Sequence, residues 1–272
     1  MFRLTREVRF AVPPFPDGQE RSAPTNSYGG YPSLTGLGAK YFALDVSASG
    51  EADPVTGFLC NIKQIDTIVR RDLPVLVVGS VADARLKKDV HGFDLPVSLF
   101  RALGETFKQE VPQARLEEVR LHFTPTLFSS CLASEYPMIR LSQRFEFSAS
   151  HRLHRPEFSD EQNLKTFGKC SNPHGHGHNY ELQVTLAGKT DAKGLLVDVP
   201  SFERVVATTV LDRFDHKNLN VEVPEFKEVI PTVENIAKVI YGLLKPRFAD
   251  GNARLASVTV WETPKTWCEY AE

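Results

Sequence analysis

Apolar and polar residues alternate with a period of two in several short runs, and that pattern predicts strands. Val8, Phe10 and Val12 make one such run, and Phe145, Phe147 and Ala149 make another. A long polar loop rich in Pro, Gly and Ser follows the first (Pro13 to Leu37). Second strands are predicted over Phe42 to Ala48 and Tyr180 to Leu186. Turns around Asp53 and Asp191 then lead to third strands at Phe58-Leu59-Cys60 and Leu195-Leu196-Val197. The period next changes to that of a helix. Its apolar positions are Ile62, Ile65, Ile68 and Val69 in one place, and Phe202, Val205, Val206 and Val210 in the other. Second helices begin after Pro96 and Pro231, where Pro suits a first turn. The latter carries an apolar stripe of Val233, Ile236, Ala237, Ile240, Leu243 and Leu244. Closing hairpins span Leu116 to Phe128 and Leu255 to Tyr270.

The same plan is thus written twice. Gly50, Asp53 and Gly57 match Gly188, Asp191 and Gly194 after a one-residue gap. Ala114-Arg115-Leu116, Val119 and Thr124-Pro125 match Ala253-Arg254-Leu255, Val258 and Thr263-Pro264 in the same order. Colinear matches of this kind predict an internal repeat. The expected domains are residues 1–136 and 137–272. The expected class is α+β, each copy an antiparallel four-stranded sheet with two helices on one face.

Composition narrows the function. The chain has 272 residues, 32 Lys+Arg against 34 Asp+Glu, and a formal net charge of −2. Such a balance supplies no basic field for nucleic acid. The four cysteines (Cys60, Cys131, Cys170, Cys268) are too few and too spread for a secreted disulfide scaffold. The N-terminal segment lacks an apolar run of signal-peptide length, and Leu73 to Val78 is far short of a membrane span. These features predict no membrane partner and a reducing, cytoplasmic compartment. Histidine is skewed: of eight, six fall between His151 and His216.

His176-Gly177-His178 leads directly into a predicted strand. Residues two apart on a strand share a face roughly 6.5 Å apart, so both imidazoles can converge on one metal. His151 continues the stripe of Phe145, Phe147 and Ala149, just as His176 and His178 continue that of Tyr180, Leu182 and Val184. Three histidines at the ends of neighbouring core-facing stripes suit a zinc site with an open fourth position. His154 and His174 fall off the pattern and read as loop residues. Cys170 lies in a polar loop six residues before His176, in surroundings expected to favour thiolate. The residues alone leave it a fourth zinc ligand, a catalytic base or an incidental thiol. The other cysteines read as structural.

Asp215-His216 is either a tuned proton shuttle or a solvated loop. Glu262 ends a stripe of Ala256, Val258 and Val260. A core-facing carboxylate needs a partner, and a ligand with two adjacent N–H donors would supply one. The first copy holds none of these groups: Gly38 and Lys40 replace His176 and His178, and Phe123 replaces Glu262.

At these residues the second copy resembles the 6-pyruvoyl-tetrahydropterin synthase family, which includes the 6-carboxy-tetrahydropterin synthases. The resemblance runs from about Arg140 to Tyr270. It rests on Phe147-Ser-Ala-Ser-His151-Arg-Leu153, Asn163-Leu-Lys-Thr-Phe-Gly-Lys-Cys170, His176-Gly-His178-Asn-Tyr180, Leu211 with Asp215-His216-Lys-Asn-Leu219, Pro231-Thr232-Val-Glu234-Asn235, and Trp261-Glu262-Thr263. It implies the tunnelling fold and zinc held by His151, His176 and His178. It further implies Cys170 as catalytic thiol, Asp215 and His216 as proton-transfer partners, Glu262 as pterin anchor, and substrate contacts at Thr232 and Glu234. Val233 stands where many members carry a second Thr.

The implied reaction converts 7,8-dihydroneopterin triphosphate to 6-pyruvoyl-tetrahydropterin with release of triphosphate, a carbon–oxygen lyase step. The redox change is internal to the substrate, and the chain has no Gly-rich dinucleotide motif. Five residues between Cys170 and His176 match the pyruvoyl branch, with the carboxy branch as the alternative. Cys170 argues against a third branch with Glu at its place. A non-catalytic pterin or purine binder with structural zinc is the reading of another class, and a generic zinc hydrolase would have no need of Glu262. Assembly implied by the family predicts a homo-oligomer, a trimer or hexamer of tandem chains.

Overall fold

The computed structural model of the chain describes residues 1–12, 40–69 and 92–272. The loop predicted over Pro13 to Leu37, Gly38 and the run Leu73 to Val78 lie outside the described residues, as does the side chain of Val12. The chain divides into two compact units, Met1–Leu141 with Gly188–Leu196, and Ser142–Ala187 with Val197–Glu272.

In the first unit, β1 (Phe2–Val12) pairs antiparallel with β2 (Lys40–Gly50) along its whole length, from Phe2 opposite Gly50 to Val12 opposite Lys40. A helix over residues 62–69 (α1) and α2 (Leu95–Glu110) follow. β3 (Ala114–His122) then pairs with β2 and β4 (Leu127–Leu132) with β3, both antiparallel, giving the order β1-β2-β3-β4. Alternation turns Phe42, Leu44, Val46 and Ala48 of β2 into one core face against Ile65 and Ile68 of α1 and Leu99, Leu103 and Phe107 of α2. A bulge opposite Ser47/Ala48 inserts one residue into β3, so its core positions run Leu116, Val119, Leu121. On the other face, the buried Glu118 is neutralised by Arg3 at 2.7 Å and Arg120 at 2.9 Å.

The second unit contains most of β5 (Ile139–His151) and of β6 (His176–Gly188), with α3 (Asp160–Phe167) and α4 (Val199–Val206). After α4 come a π-helical stretch, Ala207–Leu211, and one further turn, Asp212–Phe214. β7 (Lys217–Asn218), α5 (Val233–Leu244), β8 (Ala253–Thr263) and β9 (Thr266–Tyr270) complete it. The strand order is β5-β6-β8-β9, with β7 parallel on β5.

Several expectations are corrected. Residues 58–60 and 195–197 are not strands. Each is held by a local turn instead. The Asp53 N–H donates to the Phe58 carbonyl, and the Asp191 N–H to the Leu195 carbonyl, both at 2.9 Å. Leu59 and Cys60 are buried without a ladder partner, and Phe58 is exposed. Ile62, at the outer end of α1, is also exposed. Tyr241 is buried in the stripe of α5, whereas Leu243 is only half-buried. Pro96 does sit in the first turn of α2, but Pro231 lies just outside α5, whose N-cap is Thr232. In β8 the core positions are Leu255, Val258 and Val260, and Ala256 is half-buried.

Candidate active site

His151 ends β5 and is fully buried, whereas His176 and His178 open β6 and are half-buried. Their close approach depends on Gly175, at φ 68°: a Cβ there would lie 2.8 Å from the His151 carbonyl oxygen. One ligand atom from each of the three histidines lies within 4.8 Å of the others. The Nε2 atoms of His151 and His176 are 3.1 Å apart. The Nδ1–H of His151 donates to the Pro231 carbonyl at 2.7 Å, which turns the lone pair of its Nε2 toward the other rings. His176 Nδ1 and His178 Nε2 are buried without a hydrogen-bond partner. Burial, before any neighbouring charge, pulls His151 and His178 below the ordinary imidazole range and so favours their neutral, ligating forms. Three converging imidazoles, two of them with an orphaned buried nitrogen, fit the donor set of a zinc ion with an open fourth position.

Glu262 belongs to the same cluster. In the β8–β9 ladder, Trp261 faces Trp267 and Thr263 faces Thr266, so Glu262 is the extra residue of a bulge. Bulges re-aim a side chain, and here Oε1 comes 3.5 Å from His151 Nε2 and 3.8 Å from His178 Nε2. Simple alternation along β8 did not predict that bulge.

Cys170 sits in a single turn, Gly168–Ser171, entered through Gly168 at φ 56°. The turn is pinned on both sides. Upstream, Ser159 and Gln162 form a capping box at α3, and Asn163 accepts from the Arg155 N–H while donating to the carbonyls of Arg155, Phe158 and Ser159. Across the site, the Leu153 N–H donates to the Cys170 carbonyl at 2.8 Å, and Arg152 Nε donates to that of Ser171 at 2.9 Å. Asn163 therefore ties the segment before α3 to the helix that leads into the turn carrying the thiol. One expectation is reversed here: the thiol is pushed up, not down, because burial and the Glu262 charge both oppose the thiolate.

Asp215 and His216 are not brought to the triad by any hydrogen bond. Asp215 accepts from the Ser148 N–H at 2.7 Å and pairs with His216 Nδ1 at 2.8 Å. The His216 N–H returns to the Ser148 carbonyl, with His216 at φ 57°. The pair is thus fastened to the edge of β5, where the His216 side chain is 82% exposed. The Ser148 N–H and His216 hold the Asp215 carboxyl below its usual range. Thr232 caps α5 by accepting from the Asn235 N–H, and Glu234 is exposed in the first turn. Of this segment, Pro231 reaches the cluster, through the carbonyl that orients His151.

From the sequence, Tyr180 reads as one of the apolar stripe that His176 and His178 continue. It is fully buried, stacked on Phe147 at 4.9 Å, with its hydroxyl 3.5 Å from His151 Nδ1. A buried tyrosine hydroxyl usually has a polar partner, and that rule could have pointed to it.

Comparison with known proteins finds relatives of one family over the second half of the chain. A family model described as 6-pyruvoyl tetrahydropterin synthase matches residues 140–272. The 6-pyruvoyl tetrahydrobiopterin synthase of Drosophila melanogaster is 38% identical over 138 residues, covering 50% of this chain and 82% of that protein. The synthase of that name from Homo sapiens is 43% identical over 125 residues, covering 46% of this chain and 85% of that protein. A solved 6-pyruvoyl tetrahydropterin synthase from Caenorhabditis elegans, 38% identical, covers 50% of this chain and 96% of its own at a TM-score of 0.47. The chain belongs to the 6-pyruvoyl tetrahydropterin synthase family.

Proposed function

We propose that the chain is a zinc-dependent 6-pyruvoyl-tetrahydropterin synthase, converting 7,8-dihydroneopterin triphosphate to 6-pyruvoyl-tetrahydropterin with release of triphosphate. The observation that carries this is the convergence of three histidines, two with orphaned buried nitrogens, beside the carboxylate of Glu262. His151, His176 and His178 would hold the zinc, which when bound supplies Lewis acidity to the side-chain hydroxyls of the substrate.

The remaining roles fall to the chain itself. Glu262 accepts two hydrogen bonds from the amino-pyrimidine edge of the pterin, both charge-assisted. Its place on a bulge keeps the carboxylate beside the triad, so the ring and the reacting side chain are fixed together. Cys170, in its thiolate form, takes a proton from the side-chain carbon and becomes the thiol. The Asp215 carboxylate bonds His216 Nδ1 and leaves Nε2 as the nitrogen that exchanges protons. Thr232 and Glu234 contact the substrate at the start of α5.

Residues 1–136 are, in this reading, a degenerate second copy of the same fold that has kept the scaffold and lost the chemistry. Its support is positional. Gly57 and Gly194 both have φ 72°. Asp53 accepts from the N–H of Val55 and Thr56, and Asp191 from those of Lys193 and Leu195. The assembly is a homo-oligomer, a trimer or hexamer of tandem chains, in a reducing cytoplasmic compartment. Among the described residues no helix is long and apolar enough to cross a membrane.

Purified chain loaded with zinc is expected to release triphosphate from dihydroneopterin triphosphate, with a product mass of 6-pyruvoyl-tetrahydropterin. Formation of 6-carboxy-tetrahydropterin with loss of acetaldehyde would move the chain to the carboxy branch. Tight pterin binding without turnover would leave a binding protein.

A further inference from the structure

We propose that Tyr180 is a positioning residue for the metal site: its buried hydroxyl shares the Nδ1–H of His151 with the Pro231 carbonyl and holds Nε2 on the site. The inference rests on the reading of the triad as a metal centre. Tyr180 follows His178 by two residues, so β6 puts both on one face. Its ring stands edge-on to His178 at 5.5 Å and to His151 at 6.3 Å. The hydroxyl lies 3.5 Å from His151 Nδ1, the atom that bonds Pro231 at 2.7 Å.

The proton assignment follows from those two distances. A carbonyl 2.7 Å away requires Nδ1 to carry the hydrogen. The phenol oxygen must therefore accept from the same N–H, as the weaker branch of a shared bond. Ligating imidazoles depend on such outer partners for tautomer and ring orientation. With both acceptors on Nδ1, His151 cannot rest with its proton on Nε2, the atom 3.1 Å from His176.

The first unit provides an internal control. There Phe10 stacks on Phe42 at 5.5 Å, as Phe147 stacks on Tyr180 at 4.9 Å. Both Phe42 and Tyr180 are buried. Phe42 sits two residues after Lys40, just as Tyr180 sits two after His178. Packing at this place in the fold is met by a bare ring, and the hydroxyl occurs where the histidines are.

The test uses the full chain, stripped of metal and titrated with Zn²⁺ against a chromophoric chelator. Tyr180→Phe is expected to fold, by its far-ultraviolet circular dichroism, and to bind Zn²⁺ about tenfold more weakly than wild type. The absorption bands of bound Co²⁺ are expected to shift in the variant, reporting a turned His151 ring. Affinity within twofold of wild type with an unchanged Co²⁺ spectrum would overturn the proposal. Should the variant fail to fold, nitrogen-15 NMR of metal-free wild type decides: a proton resting on Nε2 of His151 also overturns it. A wild type that binds no Zn²⁺ would instead sink the metal reading itself, a result distinct from equal binding by the two proteins.

Discussion

The two units bury side-chain clusters of opposite kinds. In the first, Phe42 and Phe123 meet edge-on at 6.5 Å, and Phe93 meets Phe123 at 5.1 Å. In the second, β5, β6 and β8 bring together Tyr180, three histidines and Glu262. The aromatic cluster satisfies itself, since each such ring pair contributes about 0.5–1.5 kcal/mol beyond area burial. The polar cluster does not, because buried imidazole nitrogens stand without partners. A site that depends on a bound ligand and a site that needs none are thus built on similar strands. The difference lies in side chains at a few positions.

That contrast breaks first on metal. Zinc analysis of the full chain is expected to give one ion per chain and not two, since the first unit offers no triad among its described residues. His178→Ala is expected to lose the ion and turnover together, a drop of about a thousandfold or more given the several kcal/mol a metal supplies to a developing charge. Two ions per chain would mean that the chain holds a second site outside the triad.

Next in size is the thiol. Cys170→Ala should keep zinc at wild-type stoichiometry while kcat falls by about 10²–10⁴, the usual range for a lost general base. Steady-state rates beside metal analysis decide this, and full turnover with zinc bound would remove Cys170 from the mechanism. Glu262→Gln should raise KM roughly ten- to a hundredfold, matching the ~1.5–3 kcal/mol of a charge-assisted hydrogen bond. A KM at the wild-type value would place the pterin edge elsewhere.

The pH dependence of the metal-free chain sharpens the comparison further. His151 and His178 are pulled below their unfolded pKa, mainly by burial. The folded chain therefore binds fewer protons than the unfolded one just below pH ~6.5, and stability must fall as pH falls through that range. Thermal melts are expected to show Tm decreasing with acidification, and zinc should push the decrease to lower pH because metal competes with protons. A Tm independent of pH there would contradict the burial of neutral imidazoles. The smallest effect is expected from Phe42→Tyr. Its hydroxyl would enter an aromatic cluster, at a cost of about 1–3 kcal/mol in chemical denaturation, without a change in zinc affinity.

The sequence made some of this legible and concealed the rest for identifiable reasons. Val8, Phe10, Phe42, Leu44 and Val46 alternate because one face of their strands is buried, and all five are in the core. The three histidines extend such stripes, so their convergence could be anticipated from period alone. The bulge at Glu262 could not, because the inserted residue is defined by its partner strand. Residues 58–60 looked like a strand because two of them are buried, yet burial there comes from a turn. The Cys170 neighbours in sequence are polar, but the groups that set its pKa, burial and Glu262, come from elsewhere in the fold.

Local chemistry was therefore determined by the chain's own order: which residues alternate, which histidines share a strand face, and which half carries the chemistry. Tertiary structure decided the rest. It set the tautomer of His151 through the Pro231 carbonyl, the aim of Glu262 through a bulge, and the place of Asp215 and His216 on the edge of β5. Each of these depends on distance between groups far apart in sequence. Hydrogen bonds and electrostatic shifts act over a few ångströms of space, and the order of residues encodes that space only through the fold.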